Sequence, residues 1–166
     1  MKDKICEKKQ LVFSVCGVKN SGKTTLIENL IREFTKEGKK VAVIKHDGHD
    51  FKADTENTDT HRAKVAGASG VLIFSKNKYM LIEDEKFENE KDYLKFFSNY
   101  DVVILEGLKN SEFPKIEIIR SEISKEISSN KKNLFCIVTD LDIKTDVPVV
   151  DLRDLESLMK IIKEEL

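Results

Sequence analysis

The run Gly17-Val18-Lys19-Asn20-Ser21-Gly22-Lys23-Thr24 constrains this chain more than any other feature. It fits G-x-x-x-x-G-K-[ST], and Thr25 doubles the hydroxyl. The apolar run Leu11–Cys16 precedes it and reads as a buried strand. Thr24–Glu37 follows, with Leu26, Ile27, Leu30, Ile31 and Phe34 on one helical face and Gly38 as the stop. Val41–Ile44 completes strand–helix–strand, a crossover that makes its two strands parallel. In that setting the motif has a mechanical reading as a P-loop. Its glycines permit turns that other residues resist, so successive N–H groups converge on phosphate oxygens. The helix start adds its positive dipole end and unpaired donors. Lys23 supplies a mobile ammonium for the β- and γ-phosphates, and Thr24 a hydroxyl for Mg²⁺. Gly17, Asn20, Ser21, Gly22, Lys23, Thr24 and Thr25 are therefore the expected phosphate-binding residues.

Downstream, His46–Asp59 is too charged for core and long for a passive connection, which points to function. Thr60–Ala68 reads as a short helix closed by Gly67 and Gly70. Val71–Ser75 and Tyr79–Ile82 read as a hairpin around Lys76-Asn77-Lys78, apolar on both faces and so expected to be covered on both, another subunit being one cover. Lys91–Ser98 predicts a helix carrying Tyr93, Leu94, Phe96 and Phe97. Asp101–Leu105, Lys115–Arg120 and Leu134–Val138 are further strands, and Leu152–Leu166 is an amphipathic helix. The expected fold is α/β, a P-loop NTPase three-layer sandwich with a mostly parallel sheet and an inserted β-hairpin. Residues 1–166 read as one nucleotide-binding domain with a polar tail over 1–10.

Lys+Arg (29) nearly cancel Asp+Glu (30), so composition gives no electrostatic reason for a nucleic-acid or anionic-membrane partner. No run approaches the roughly 20 apolar residues of a membrane span, and MKDKICEKKQ lacks the apolar stretch of a secretory signal. The three cysteines, Cys6, Cys16 and Cys136, form no CxxC pair, and Cys16 and Cys136 lie in apolar runs as buried thiols. These features lead to the expectation of a cytoplasmic protein.

A phosphate site also needs a metal partner and something to position water or an acceptor. Glu106 ends the Asp101–Leu105 strand beside the loop, placed to meet Mg²⁺ directly or through water, or to serve as a plain strand-end charge. The usual metal acid is an aspartate, so this glutamate is a departure. Gly107 follows, with an N–H able to approach a γ-phosphate, and Asp101 caps the far end of the strand. His46, Asp47, His49 and Asp50 resemble a metal-ligand cluster, although polar loop residues near phosphate and substrate have the same composition. Lys45 could meet phosphate or solvent. Asp59 is either a helix N-cap or, with Asp50, a residue that orients water or a second substrate. The turn Thr139-Asp140-Leu141-Asp142 has the threonine and final aspartate of a guanine-reading motif, but Asp140 stands where a lysine is usual. Either aspartate could reach guanine, or both could be turn residues, and adenine stays open.

Taken together, GVKNSGKTT, VIKHDGHDF, Asp59 ahead of HRAKVAGA, ILEGLK and FPKIEIIR resemble molybdopterin-guanine dinucleotide biosynthesis protein B, the MobB family, from about residue 11 to 140. The P-loop is widely shared, whereas the Lys-His-x-x-His-Asp-Phe and Glu-Gly-x-Lys…Phe-Pro-Lys-Ile-Glu segments are more particular. Asn57-Thr58-Asp59-Thr60 departs from the Gly-Lys-Asp-Ser frequent in the family. The resemblance implies a homodimeric, Mg²⁺-dependent GTP-binding protein of weak GTPase activity. It would act beside the guanylyltransferase MobA, which attaches GMP to molybdopterin, and could assist handover of that cofactor. GTP and Mg²⁺ would sit on Gly22, Lys23, Thr24 and Thr25, with Glu106 in the metal shell. An ATP-dependent small-molecule kinase is a rival, set against a sequence in which Arg32, Arg62, Arg120 and Arg153 form no cluster. A GTP-gated metallochaperone or adaptor is another, kept open by His46 and His49.

Overall fold

Alternation of apolar β-branched runs with amphipathic segments produces, in the computed structural model, six parallel strands and a separate antiparallel pair. Residues 10–48, 51–85, 87 and 89–166 are described. The chain divides into two compact units, one reaching His46 and resuming over Tyr93–Leu166, the other Asp47–Asp92.

In the first unit β1 (Leu11–Cys16) runs into helix α1 (Lys23–Lys36) and then β2 (Val41–Lys45). In the second unit come α2 (Asp59–Val65), β3 (Gly70–Phe74) and β4 (Tyr79–Glu83). The first unit resumes with β5 (Val102–Glu106), β6 (Lys115–Ile119), β7 (Leu134–Thr139), β8 (Val149–Asp151) and α3 (Leu155–Glu165). The six-stranded order is β2-β5-β1-β6-β7-β8. β5 is thus inserted between the two strands that α1 connects, and β1 lies between β5 and β6 with every pairing parallel. All carboxyl ends open on one edge, which in open α/β sheets is where ligands bind.

Both faces of this sheet are covered. On one, Leu26, Ile27, Leu30 and Phe34 of α1 and Leu158, Met159 and Ile162 of α3 pack on Phe13, Val15, Ile104, Ile116 and Val138. On the other, Ala42, Val103 and Leu105 meet Leu94, Phe97, Tyr100 and Phe113. Ile119, Leu134 and Ile137 extend that face beneath Ile127 and Val147. Asp101 ties the starts of three strands. Its carboxylate accepts from the Lys40 N–H at 2.7 Å, its carbonyl accepts from Leu11 N–H, and its own N–H donates to the Lys40 carbonyl. Cys16 and Cys136 are fully buried thiols, and burial pushes Cys136 up to about 12; Cys6 lies outside the described residues.

Three elements differ from expectation. Glu90–Phe97 is a 3₁₀ helix rather than an α-helix over Lys91–Ser98, with Asn89 side-chain and Asp92 side-chain hydrogen bonds tightening its first turn. β8 has no counterpart in the sequence reading, because an edge strand of three residues behind Pro148 is shorter than any apolar run that signals one. β6 alternates Lys115-Ile-Glu117-Ile-Ile, a pattern that predicts one wet face, yet all five residues are buried.

In the second unit, α2 is capped by Thr58, whose Oγ1 accepts from the His61 N–H at 3.2 Å. Lys64 Nζ bonds Asp84 past the end of β4 at 2.5 Å. The hairpin pairs Phe74 with Tyr79 across the Ser75–Lys78 turn, and these rings are 77% and 73% exposed. Leu72, Ile73, Met80 and Leu81 are exposed as well, an apolar patch of the kind that marks an interface.

Candidate functional site

The phosphate loop is built by its backbone angles. Gly17 has φ +147°, and a Cβ there would come within 2.6 Å of the Ile118 carbonyl and 2.7 Å of Ser21 Oγ. Gly22 caps α1 at φ +99° and ψ 14°, a left-handed conformation, and no side chain caps the helix. The first-turn N–H donors are left for an anion. Asn20, at φ +64°, makes the other left-handed turn and is exposed. Lys23 Nζ curls back to donate to the Gly17 carbonyl at 3.1 Å and the Val18 carbonyl at 2.7 Å, closing the loop into a ring. Burial lowers the Lys23 pKa from its ordinary value, and Glu106 works against that shift. Thr24 and Thr25 are exposed at the start of α1.

Ser21 Oγ is the telling atom. The residue is fully buried, and its hydroxyl has no hydrogen-bond partner among the described residues. A buried orphan hydroxyl is costly unless a ligand satisfies it.

Glu106 ends β5 in register with Val15 of β1 and Lys45 of β2. Its carboxylate is 14% exposed and lies 3.9 Å from Lys45 Nζ. Thr24 hydroxyl and Glu106 carboxylate are hard oxygen donors, a set that suits Mg²⁺, which keeps several waters and shares phosphate oxygens. Gly107 has φ +86°, but its N–H donates to the Val15 carbonyl at 3.1 Å, so that donor is engaged within the sheet.

Beside the loop lies a cleft of about 350 Å³ lined by Ser21, Gly22, Thr25, Leu26, Asn29, Ile118, Arg120, Asp140, Asp151, Leu152 and Arg153. Asp140 is anchored there by Ser121, whose N–H and Oγ donate to its two carboxylate oxygens at 2.8 and 2.7 Å. Those bonds hold the Asp140 pKa below the usual carboxylate value. Thr139 Oγ1 turns inward to accept from Leu141 N–H, serving the turn. Arg120 and Arg153 share this cleft, which corrects the expectation that the arginines are scattered: the carboxyl ends of β6 and β8 bring together residues distant in sequence. A larger depression of about 530 Å³ near Ile127, Lys131 and Lys144 opens at the amino end of β7, away from the loop, and has no helix start or glycine turn.

Two charged residues of β6 are buried without a periodic signal for it. Lys115 is 0% exposed and donates to the Ser111 carbonyl at 2.6 Å, holding the segment after Gly107. Glu117, 1% exposed, accepts from the N–H and Oγ of both Ser128 and Ser129. The only sequence signal was their place in the Pro-Lys-Ile-Glu segment.

Asp59, in the second unit, is the first residue of α2 and not its cap; that role belongs to Thr58. Its carboxylate is fully exposed, 3.9 Å from Arg62. Asp50 and His49 lie outside the described residues, and among the described residues no group of three metal-binding side chains occurs.

A loop of this geometry after β1 with an acid ending the neighbouring strand belongs to many nucleotide-binding families, and the comparisons narrow them to one. The family described as molybdopterin guanine dinucleotide synthesis protein B matches residues 12–140. The chain belongs to the MobB family. The molybdopterin-guanine dinucleotide biosynthesis adapter protein of Haemophilus influenzae is 29% identical over 93% of this chain and 89% of its own length. That of Escherichia coli is 28% identical over 87% and 86%. The crystal structure of Bacillus subtilis MobB superposes with a TM-score of 0.76 at 23% identity, over 92% of this chain and 96% of that one. The mostly parallel sheet, P-loop and separate hairpin are therefore the MobB form of the P-loop NTPase fold. No helix among the described residues is long and apolar enough to cross a membrane.

Proposed function

We propose that this chain is a GTP-binding adapter in the biosynthesis of the guanine dinucleotide form of the molybdopterin cofactor, with a weak Mg²⁺-dependent GTPase activity. The observation that carries the reading is the coincidence of a family match over residues 12–140 with an uncapped helix start and an orphan hydroxyl at Ser21. Curated relatives named as adapter proteins in this biosynthesis support the role.

In this reading the N–H groups from Gly22 to Thr25 and the Ser21 hydroxyl receive the phosphates, and Lys23 exchanges its two loop carbonyls for phosphate oxygens. Thr24 and Glu106 would hold Mg²⁺, which supplies charge neutralisation between the β- and γ-phosphates. Lys45 beside Glu106 limits the net charge of that corner. Hydrolysis is slow because Arg120 and Arg153 stand on the Ser21–Thr25 side of the loop, away from Glu106, and an arginine acting at the transferred phosphoryl is worth about 10³–10⁵ in rate. The same placement weighs against a small-molecule kinase, whose lid arginines must close over the transferred group. The exposed hairpin supports a homodimer, and a MobA-like guanylyltransferase is the expected enzyme partner.

A reconstituted assay tests this. Purified guanylyltransferase, molybdopterin-type cofactor and GTP should yield guanine dinucleotide faster, or at lower GTP, when the chain is added, and Lys23→Ala should abolish the gain. A phosphorylated small product formed from ATP instead would transfer the reading to the kinase.

A further inference from the structure

We infer that a cavity within the Asp47–Asp92 unit binds the pterin ring of the cofactor, with Asp54 reading its 2-amino edge and Phe51 stacking on its face. This rests on the cofactor role proposed above and adds a site for the cofactor itself, made of residues that the phosphate loop does not use.

The cavity holds about 280 Å³, and Phe51, Lys52, Asp54, His61, Lys64 and Ile82 are among its walls. That is small for a whole dinucleotide and fits one fused two-ring heterocycle. Its frame is held by bonds inside the unit. Lys64, only 18% exposed, donates to Asp84 after β4 and to the Ser69 carbonyl before β3, which ties α2 to both ends of the hairpin. Thr58 caps α2, and its hydroxyl also donates to the Thr55 carbonyl at 2.9 Å, fixing the segment that carries Asp54. A cavity whose walls are tied in this way spends little free energy on ordering when a ligand enters.

Asp54 carries an unmet acceptor. Its Oδ1 accepts from the Thr55 N–H at 2.7 Å, whereas Oδ2 is buried with no hydrogen-bond partner among the described residues. Such an oxygen is costly until a donor reaches it. His61 Nδ1 accepts from the Asn57 N–H at 3.4 Å, which leaves Nε2 as the protonated nitrogen and a donor. Phe51, 68% exposed, and the half-buried Ile82 supply apolar surface to the same cavity. A flat ring that gives N–H groups to a carboxylate and accepts one from an imidazole fits this set. Pterin is such a ring: its N3–H and 2-amino group form a donor pair, its 4-oxygen lies beside them, and its face stacks on an aromatic side chain. Lys52 is 84% exposed and pairs with Glu56, a weak surface contact that the phosphate of the cofactor can replace. Guanine has the same 2-amino-oxo edge, so the experiment must separate the two sources.

Titration of the full chain with 6-hydroxymethylpterin phosphate, read by pterin fluorescence, tests this beside calorimetric titration with GTP. Saturable one-site pterin binding is expected. Asp54→Asn, which turns an acceptor into an amide donor, should weaken it on the order of tenfold. Phe51→Ala should weaken it severalfold, and GTP binding should be unchanged in both variants. The 2-oxo analogue, 6-hydroxymethyllumazine phosphate, should bind the unaltered chain on the order of tenfold more weakly, and guanosine should not displace the pterin. Phe51 is exposed and the analogue needs no substitution, so both test the idea even where Asp54→Asn disturbs the Thr55 turn. No saturable pterin binding, equal binding of the two analogues, displacement by guanosine, or unchanged affinity in both variants would overturn this inference alone. Pterin binding as expected, with no gain in dinucleotide formation in the reconstituted assay, would support this site and overturn the adapter role instead.

Discussion

Ser21 and Lys23 show how a short motif becomes a binding surface. The lysine is parked on two carbonyls of its own loop, whereas the serine hydroxyl is buried with no hydrogen-bond partner among the described residues. Ser21→Ala should therefore leave the stability of the ligand-free protein unchanged or raise it by up to about 1–2 kcal/mol, since removing an orphan hydroxyl relieves a desolvation cost. The same change should shrink the rise in melting temperature that nucleotide produces. Paired urea unfolding and thermal-shift measurements check both halves, and a marked loss of ligand-free stability would mean that the hydroxyl is satisfied after all. At this scale the phosphate loop was legible because its geometry is local: glycine, hydroxyl and ammonium stand at fixed offsets between strand and helix. Arg120, Asp140 and Arg153 were not legible as a group, because only parallel register across β6, β7 and β8 brings them together.

Among the elements, β6 departs furthest from its pattern. Alternating charge normally marks a solvated face, yet Lys115 and Glu117 are sealed under the segments after β5 and β6. Sequence periodicity reports which residues share a face, and it carries no information on what loop will cover that face. Glu117 organises four donors from Ser128 and Ser129. Glu117→Ala should cost about 2–5 kcal/mol by stranding buried donors, and Glu117→Gln should cost less by keeping one acceptor. Urea denaturation of the three proteins decides this; a loss below about 1 kcal/mol for the alanine variant would show the loop to be held by other contacts. α1, in contrast, is legible from its apolar stripe and Gly38, because its burial pattern follows from its own spacing. β8 is not legible, because three residues carry no period.

For the whole molecule, two surfaces divide the proposed work: the carboxyl edge of the six-stranded sheet for nucleotide and the β3–β4 hairpin for association. Phe74 and Tyr79 pair across the hairpin with most of their area in solvent, a poor arrangement for an isolated chain. Phe74→Asp should convert a dimer to a monomer in light scattering, with the circular dichroism of the fold retained; an unchanged mass would remove the hairpin from the interface. The central claim is that the loop from Gly17 to Thr25 binds guanine nucleotide. Calorimetric titration of the unaltered chain and of Lys23→Ala with GTP in Mg²⁺ tests it most directly. Saturable one-site binding is expected, weakened in the variant by about 1.5–3 kcal/mol through loss of a charge-assisted hydrogen bond. GTP affinity unchanged by Lys23→Ala would contradict it.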